Sequence, residues 1–335
     1  MKSPRLILFL VIALLAATIS IPVAGKYLAP PGIEMHARMA EQGGWTPANL
    51  TASVGQPVHL RLTSEDVTHG FAIGQSSQPA VDVNPGEFTD FTVTFDRPGK
   101  YIYYCTRWCG PNHWRMRGTI EVTGPQAQIT ADAKPLYLSL GIDLDRPHPA
   151  NILPQNTPSA VRGESFQAVI PDVFFSRENY LSHSPFETWQ ALRLEKALKA
   201  YSDQDLWDMV AAIAWSNIRM PAYQEGKALY AANCAACHGE KGKWDGVMAG
   251  SLGLSGMEAM TPGASGFSGH ETVKPANFTD LHQMLGASPA LLQGKILRGG
   301  MGTGMPYWGP IFTEEQTWAL VAYIQSYQFQ LEKKP

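Results

Sequence analysis

The sequence predicts a chain of three parts: an apolar N-terminal helix that spans a membrane, an all-β sandwich, and an all-α domain. Three observations predict it. An uncharged run fills Leu6–Gly25. Alternating residues broken by proline–glycine turns run from about residue 32 to 123. Helical periodicity takes over from about residue 171 to the end. The 335 residues suffice for two or three compact domains. With 44% hydrophobic and 16% charged residues, the chain is too apolar to be disordered and too varied for a coiled coil. A net charge of −3 leaves no basic excess to neutralise a phosphate backbone, so nucleic acid is excluded as a partner.

The N-terminal part is read from its flanks. Lys2 and Arg5 precede the uncharged run, and Lys26 closes it. At about 1.5 Å per residue, twenty residues span a hydrocarbon core of about 30 Å. The leading charges favour a cytoplasmic N-terminus and an outside location for everything after Lys26. The alternative is a cleaved signal peptide with an apolar core at Leu6–Ala17 and a small-residue site near Val23–Gly25. The length of the run favours a retained single-pass anchor over residues 1–27, in contact with lipid.

The sandwich is expected over 32–123. Strand-like runs occur at Pro57–Leu62, Phe88–Phe95 and Tyr101–Tyr104, and turns at Asn84–Gly86 and Arg97–Gly99 separate them. A Pro-rich stretch over about 126–156 lacks periodicity and reads as a linker or packing arm. Beyond it, helices are expected at Leu192–Tyr201, Asp203–Trp215 and Glu314–Tyr327. The segments Tyr201–Ile213 and Phe312–Ile324 align as a faint repeat: a Ser/Thr cap, acidic residues in the first turn, then Trp-x-x-Val-Ala-x-Ile. They are either two ordinary capped helices or the marks of two related helical domains, the first without cysteine and so without thioether-bound haem.

The cysteines carry the chemistry. Cys105, Cys109, His113 and Met116 place two thiolates, an imidazole and a thioether within twelve residues. Soft sulfur and imidazole suit copper or zinc rather than calcium or magnesium. A single-copper blue site needs one cysteine, whereas two cysteines four apart can bridge two copper ions. A second histidine must come from elsewhere, and His69, at the end of a strand-like run, is well placed. A Cys105–Cys109 disulfide and a structural zinc site are the alternatives. The spacing Cys-x3-Cys-x3-His-x2-Met, with Val67-Thr-His-Gly-Phe71 before it, resembles the binuclear copper (CuA) domain of haem-copper oxidase subunit II and of nitrous oxide reductase. The resemblance covers about Trp45–Val122 and implies a cupredoxin sandwich. It further implies that Cys105 and Cys109 bridge the coppers, that His69 and His113 bind one each, and that Met116 and the Arg107 carbonyl are further ligands. One departure stands out. That family usually carries glutamate where this chain has Arg107, and the glutamate helps bind magnesium at the contact with subunit I.

Cys234-Ala-Ala-Cys237-His238 is a haem-attachment motif, with both thiols able to add to haem vinyls and His238 as proximal ligand. A zinc or redox Cys-x-x-Cys is the alternative. A helix is expected over Gln224–Tyr230. The stretch Arg298–Trp308 resembles the distal-methionine loop of class I c-type cytochromes, a resemblance that covers about Pro221–Gln330. It implies Met305, which precedes proline, as second axial ligand, with Met301 as competitor. A His/Met pair closes both axial positions and favours electron transfer. The remaining histidines, among them His148, are read as ordinary residues, and Trp108 and Trp114 as packing, shielding or an electron port.

Together the two resemblances imply a membrane-anchored electron-transfer subunit similar to cytochrome c oxidase subunit II with a fused cytochrome c. Its expected parts are an anchor at 1–27, a CuA cupredoxin at 32–123, a linker and haemless helical region at 124–219, and a cytochrome c domain at 220–331. Its cofactors would be two copper ions in one centre and one covalent haem c. Electrons would run from a soluble cytochrome c or another donor, through haem and copper, to a haem-copper catalytic subunit I. The redox domains would lie on the periplasmic side. The same role in a nitric oxide reductase and a stand-alone membrane-anchored carrier are the alternatives. No substrate-transforming site is legible on this chain.

Overall fold

The computed structural model of the chain describes residues 32–76, 78–110, 112–125, 134–251, 274–300 and 305–331. The expected anchor at 1–27 and Met301 lie outside the described residues. Among those described, no helix is long and apolar enough to cross a membrane.

The first half folds as two facing sheets. The strands are β1 (Ile33–Ala37), β2 (Trp45–Thr46), β3 (Asn49–Ser53), β4 (Pro57–Ser64), β5 (His69–Ile73), β6 (Val81–Val83), β7 (Thr89–Thr94), β8 (Gly99–Tyr104) and β9 (Arg117–Thr123). Among the described residues one sheet runs β2-β1-β4-β7 and the other β3-β9-β8-β5-β6. Pairing is parallel for β1–β4 and β3–β9 and otherwise antiparallel. Alternation explains the layers: Val58, Leu60 and Leu62 of β4 and Phe91 and Val93 of β7 point inward, as do Ile120 and Val122 of β9. Trp45 packs edge-on against Phe71 and Tyr103 at the centre. All five residues of β5 are buried, so the strand that opens with His69 is an interior one.

The second half is helical. Its elements are α1 (Leu136–Ser139), α2 (Ala160–Glu164), α3 (Arg177–Ser182), α4 (Pro185–Leu194), α5 (Asp203–Asn217), α6 (Met220–Asn233), α7 (Ala235–His238), α8 (Leu281–Met284), α9 (Pro289–Arg298) and α10 (Glu314–Gln325). The helix expected at Leu192–Tyr201 is a correction. A capping box of Ser184 and Glu187, with Pro185 in the first turn, starts α4 earlier, and extended backbone at Glu195 ends it. Capping boxes also open α5 (Ser202, Asp205) and α10 (Thr313, Gln316), the two helices of the sequence repeat.

Those two helices are crossed in the same way. Helix α2 crosses α5 at Gly163, where a Cβ would run into the Asp208 carbonyl and Ala212. Helix α6 crosses α10 at Gly226, where a Cβ would run into the Ala319 carbonyl and Tyr323. Asp208 and Ala319 hold equivalent positions in the repeat, and so do Ala212 and Tyr323. Only glycine permits so close a backbone approach. At the first crossing, Asp208 accepts from Arg162 Nε at 2.6 Å and from the Ser159 N–H at 2.8 Å. The Pro-rich stretch lies as an arm on the second pair. Leu144 enters its core, Asp145 pairs with Arg298 at 2.7 Å, and the Ala150 N–H donates to the His282 carbonyl at 2.7 Å.

Candidate redox sites

The first site grows from the ends of three strands. His69 opens β5, and so stands at the start of a strand rather than at the end of one. Cys105 follows β8, and Met116 precedes β9. The Cys105 N–H donates to the Met116 carbonyl at 3.0 Å, which continues the β8–β9 ladder into the loop. His69, Cys105 and Cys109 bring their ligand atoms within 4.8 Å of one another. The two sulfurs are 3.8 Å apart and both cysteines are free, so this is no disulfide. His69 Nδ1 lies 3.9 Å from Cys105 Sγ, Met116 Sδ lies 3.3 Å from Cys109 Sγ, and the Arg107 carbonyl lies 3.2 Å from Cys105 Sγ. His69 is fully shielded, Met116 is 1% exposed and Cys105 4%.

Protons are arranged to free the donor atoms. His69 Nε2 donates to Asp66 at 2.7 Å, which leaves Nδ1 for the sulfurs. Asp66 is itself held by the Met39 and Val67 N–H groups, both at 2.6 Å. Burial works against the His69 cation, yet hydrogen bonds with Cys105 and Asp66 raise its pKa. The two thiols titrate as a pair. The hydrogen bond from Cys109 pulls Cys105 far below the ordinary thiol range, and the same bond pushes Cys109 up. His113 falls outside the tight group. Its ring meets Trp108 edge-on at 5.6 Å, and its side chain reaches toward Cys105, where it helps hold that thiol's pKa down. Two thiols with an imidazole on either side fit a metal centre, and the sulfur–imidazole donor set fits copper. Arg107 turns its side chain away and forms a two-point ion pair with Asp82, at 2.8 and 2.7 Å.

The second site is built by α6, α7 and the segments facing them. Cys234 caps α6, and α7 carries Cys237 and His238. His238 Nδ1 donates to the Ala276 carbonyl at 3.1 Å, which leaves Nε2 available, and its ring stacks on Phe278 at 4.5 Å. Burial lowers the His238 pKa and pushes the Cys234 thiol up to about 12. Two adjoining cavities of about 120 and 310 Å³ are lined by Cys234, His238, Lys295, Met305 and Trp308. The first also has Leu292, Ile296 and Phe312 on its walls, an apolar surface that fits a haem ring. The structure thus brings Met305 to the same cavity as the attachment motif, while Met301 lies outside the described residues.

Sequence reasoning missed several residues here. Asp66 lies three residues from His69, a spacing that could have flagged it. His148, set aside as ordinary, lines the cavity and donates through Nδ1 to the Gln283 carbonyl at 3.1 Å. Arg117 donates to the Tyr307 carbonyl at 3.0 Å, and burial lowers its pKa to about 10, so it stays a cation. No local signal marks either residue.

Comparison with known proteins agrees with this division. Residues 46–123 match the family described as cytochrome c oxidase subunit II, periplasmic domain, and residues 223–328 match the cytochrome c family. A cytochrome c oxidase subunit 2 of Thermus thermophilus is 38% identical over 79 residues, which cover 24% of this chain and 58% of that protein. A second subunit 2 from the same species is likewise 38% identical over 79 residues, which cover 46% of its length. The matched stretch thus spans about half the length of these relatives. Among solved structures, a heme-copper terminal oxidase dimer is 26% identical over 36% of this chain and 98% of its own, with a TM-score of 0.24. The periplasmic domain of oxidase subunit II of Bradyrhizobium japonicum is 18% identical over 29% of this chain and 88% of its own, with a TM-score of 0.25. The chain thus carries one segment similar to the oxidase subunit II periplasmic family and another similar to the cytochrome c family. The first match implies copper and the second implies haem.

Proposed function

We propose that the chain is the electron-transfer subunit of a membrane haem-copper terminal oxidase. One observation carries the reading: the shielded convergence of Cys105, Cys109, Met116, His69 and the Arg107 carbonyl, on the chain that also holds the Cys234–His238 cavity. When bound, a binuclear copper centre and a covalent haem c supply one-electron carriers. The chain's own residues do the rest. Cys105, Cys109, His69, His113, Met116 and the Arg107 carbonyl would hold the copper, and Asp66 would keep the proton on His69 Nε2. Cys234 and Cys237 would anchor the haem, and His238 and Met305 would be its iron ligands. Burial of His69, Cys105 and Met116 shields the first site from water, which limits reorganisation when charge arrives. The donor would be a soluble cytochrome c or similar protein, and the acceptor the catalytic subunit I. The redox domains would face the periplasm from an anchor at 1–27.

The same role in a nitric oxide reductase is the second reading. The ion pair of Arg107 with Asp82 favours it, because it occupies the position where the oxidase resemblance puts a magnesium-binding glutamate. The test is the complex that co-purifies with the chain from native membranes, supplied with reduced cytochrome c. Oxygen consumption supports the first reading, and nitric oxide consumption alone supports the second. The absence of any catalytic partner would overturn both and leave a stand-alone carrier.

A further inference from the structure

We propose that Arg117 couples the two redox sites, holding the Trp308 wall of the haem cavity against the copper-site strands and fixing one positive charge between them. The inference rests on the reading that the chain carries both copper and haem.

On one side Arg117 opens β9, directly after Met116. It pairs in register with Tyr104, which directly precedes Cys105. On the other side its guanidinium donates to the Tyr307 carbonyl at 3.0 Å and lies 5.3 Å over the Trp308 ring. Trp308 lines both haem cavities. The same loop is held at two further points: the Gln75 N–H donates to the Ile311 carbonyl at 2.9 Å, and Gln75 Nε2 donates to the Gly309 carbonyl at 3.1 Å. Ile102 and Tyr104 of β8 pack into the helical core beside Trp308. The sandwich and the helical half therefore meet where a strand pair ends in copper-site sulfurs and a loop begins at the haem wall.

A hydrogen bond to a carbonyl needs only a neutral donor, and the charge is the informative part. Among the described residues no carboxylate lies within ion-pair distance of Arg117. A half-buried cation without a counter-charge carries a desolvation cost. Here each neighbouring site gains negative charge when it is reduced, and a fixed cation favours that state at short range and low dielectric.

The test uses the full chain with both cofactors bound and titrates each site spectroelectrochemically. Arg117→Gln keeps a donor and removes the charge. It should lower the potentials of both sites and slow the equilibration of an electron between them after flash reduction. Arg117→Lys should restore the potentials, and Gln75→Ala, which removes a neighbouring hydrogen bond but no charge, should leave them unchanged. Wild-type potentials and an unchanged internal rate in Arg117→Gln would overturn the proposal. Should that variant fail to fold, Arg117→Met keeps the stem without the charge and is read by the same two measurements. Wild-type protein lacking the haem or the copper absorption would instead refute the functional reading, and it does so before any variant is made.

Discussion

The two redox sites are assembled in opposite ways. At the copper site the polypeptide alone brings the donor atoms together: sulfurs 3.8 and 3.3 Å apart, an imidazole with its tautomer set by Asp66, and a carbonyl 3.2 Å from sulfur. The strands that deliver them are locked by ladder hydrogen bonds and a close-packed aromatic core. At the second site the polypeptide supplies the short Cys234–His238 segment and an apolar cavity whose far wall comes from Met305, Trp308 and α9. The first site is a cage whose donor atoms already lie together in the protein. The second is a pocket whose group completes the core. A rigid cage suits a centre that must change little on electron transfer, whereas a cavity of this size leaves its lining short of contacts until it is filled.

That contrast can be broken in order of expected effect. Replacing both thiols, Cys234→Ala with Cys237→Ala, should abolish covalent haem and markedly lower the thermal stability of the helical half, because the cavity loses its filling. Calorimetry and the haem absorption measure this, and the copper absorption should persist. Cys109→Ser should abolish the binuclear copper signal with little change in fold, since the cage is held by strands. An unchanged copper spectrum in that variant would refute the site. Asp66→Ala should weaken copper binding by roughly 10–100-fold, the usual cost of losing a ligand's hydrogen-bond partner, as read by competition with a chelator. Gly226→Val should cost roughly 1–3 kcal/mol by overpacking the α6–α10 crossing, measured by denaturant unfolding. Arg107→Gln should have the smallest effect, because an exposed ion pair contributes little and only the carbonyl of residue 107 faces the sulfur. A lost copper spectrum there would show that the side chain matters.

The helix pairs α2–α5 and α6–α10 show how far the sequence reached. The repeat of capped Trp-x-x-Val-Ala-x-Ile segments was visible along the chain, because caps and helical stripes are local properties. Its partner helices were not. Gly163 and Gly226 become meaningful only once a second helix crosses them, and nothing within a few residues announces that. Likewise the stripe at Leu192–Tyr201 misled, because the helix there runs Pro185–Leu194: a capping box at Ser184, which the periodicity does not contain, sets its start, and extended backbone at Glu195 ends it.

What the sequence by itself determined is the donor inventory: Cys105, Cys109, His113 and Met116 close together on the β half, and Cys234, Cys237 and His238 close together on the α half. Those features lie within single loops or turns, where spacing along the chain nearly equals spacing in space. Tertiary structure decided the rest. It brought His69 to Cys105 across 36 residues, Asp66 to His69 Nε2, His148 and Lys295 to the haem cavity, and Arg117 to Trp308. Apart from the Asp66–His69 bond, which is local, each of these joins segments distant in sequence, and only burial of the strand and helix faces between them fixes where such segments meet.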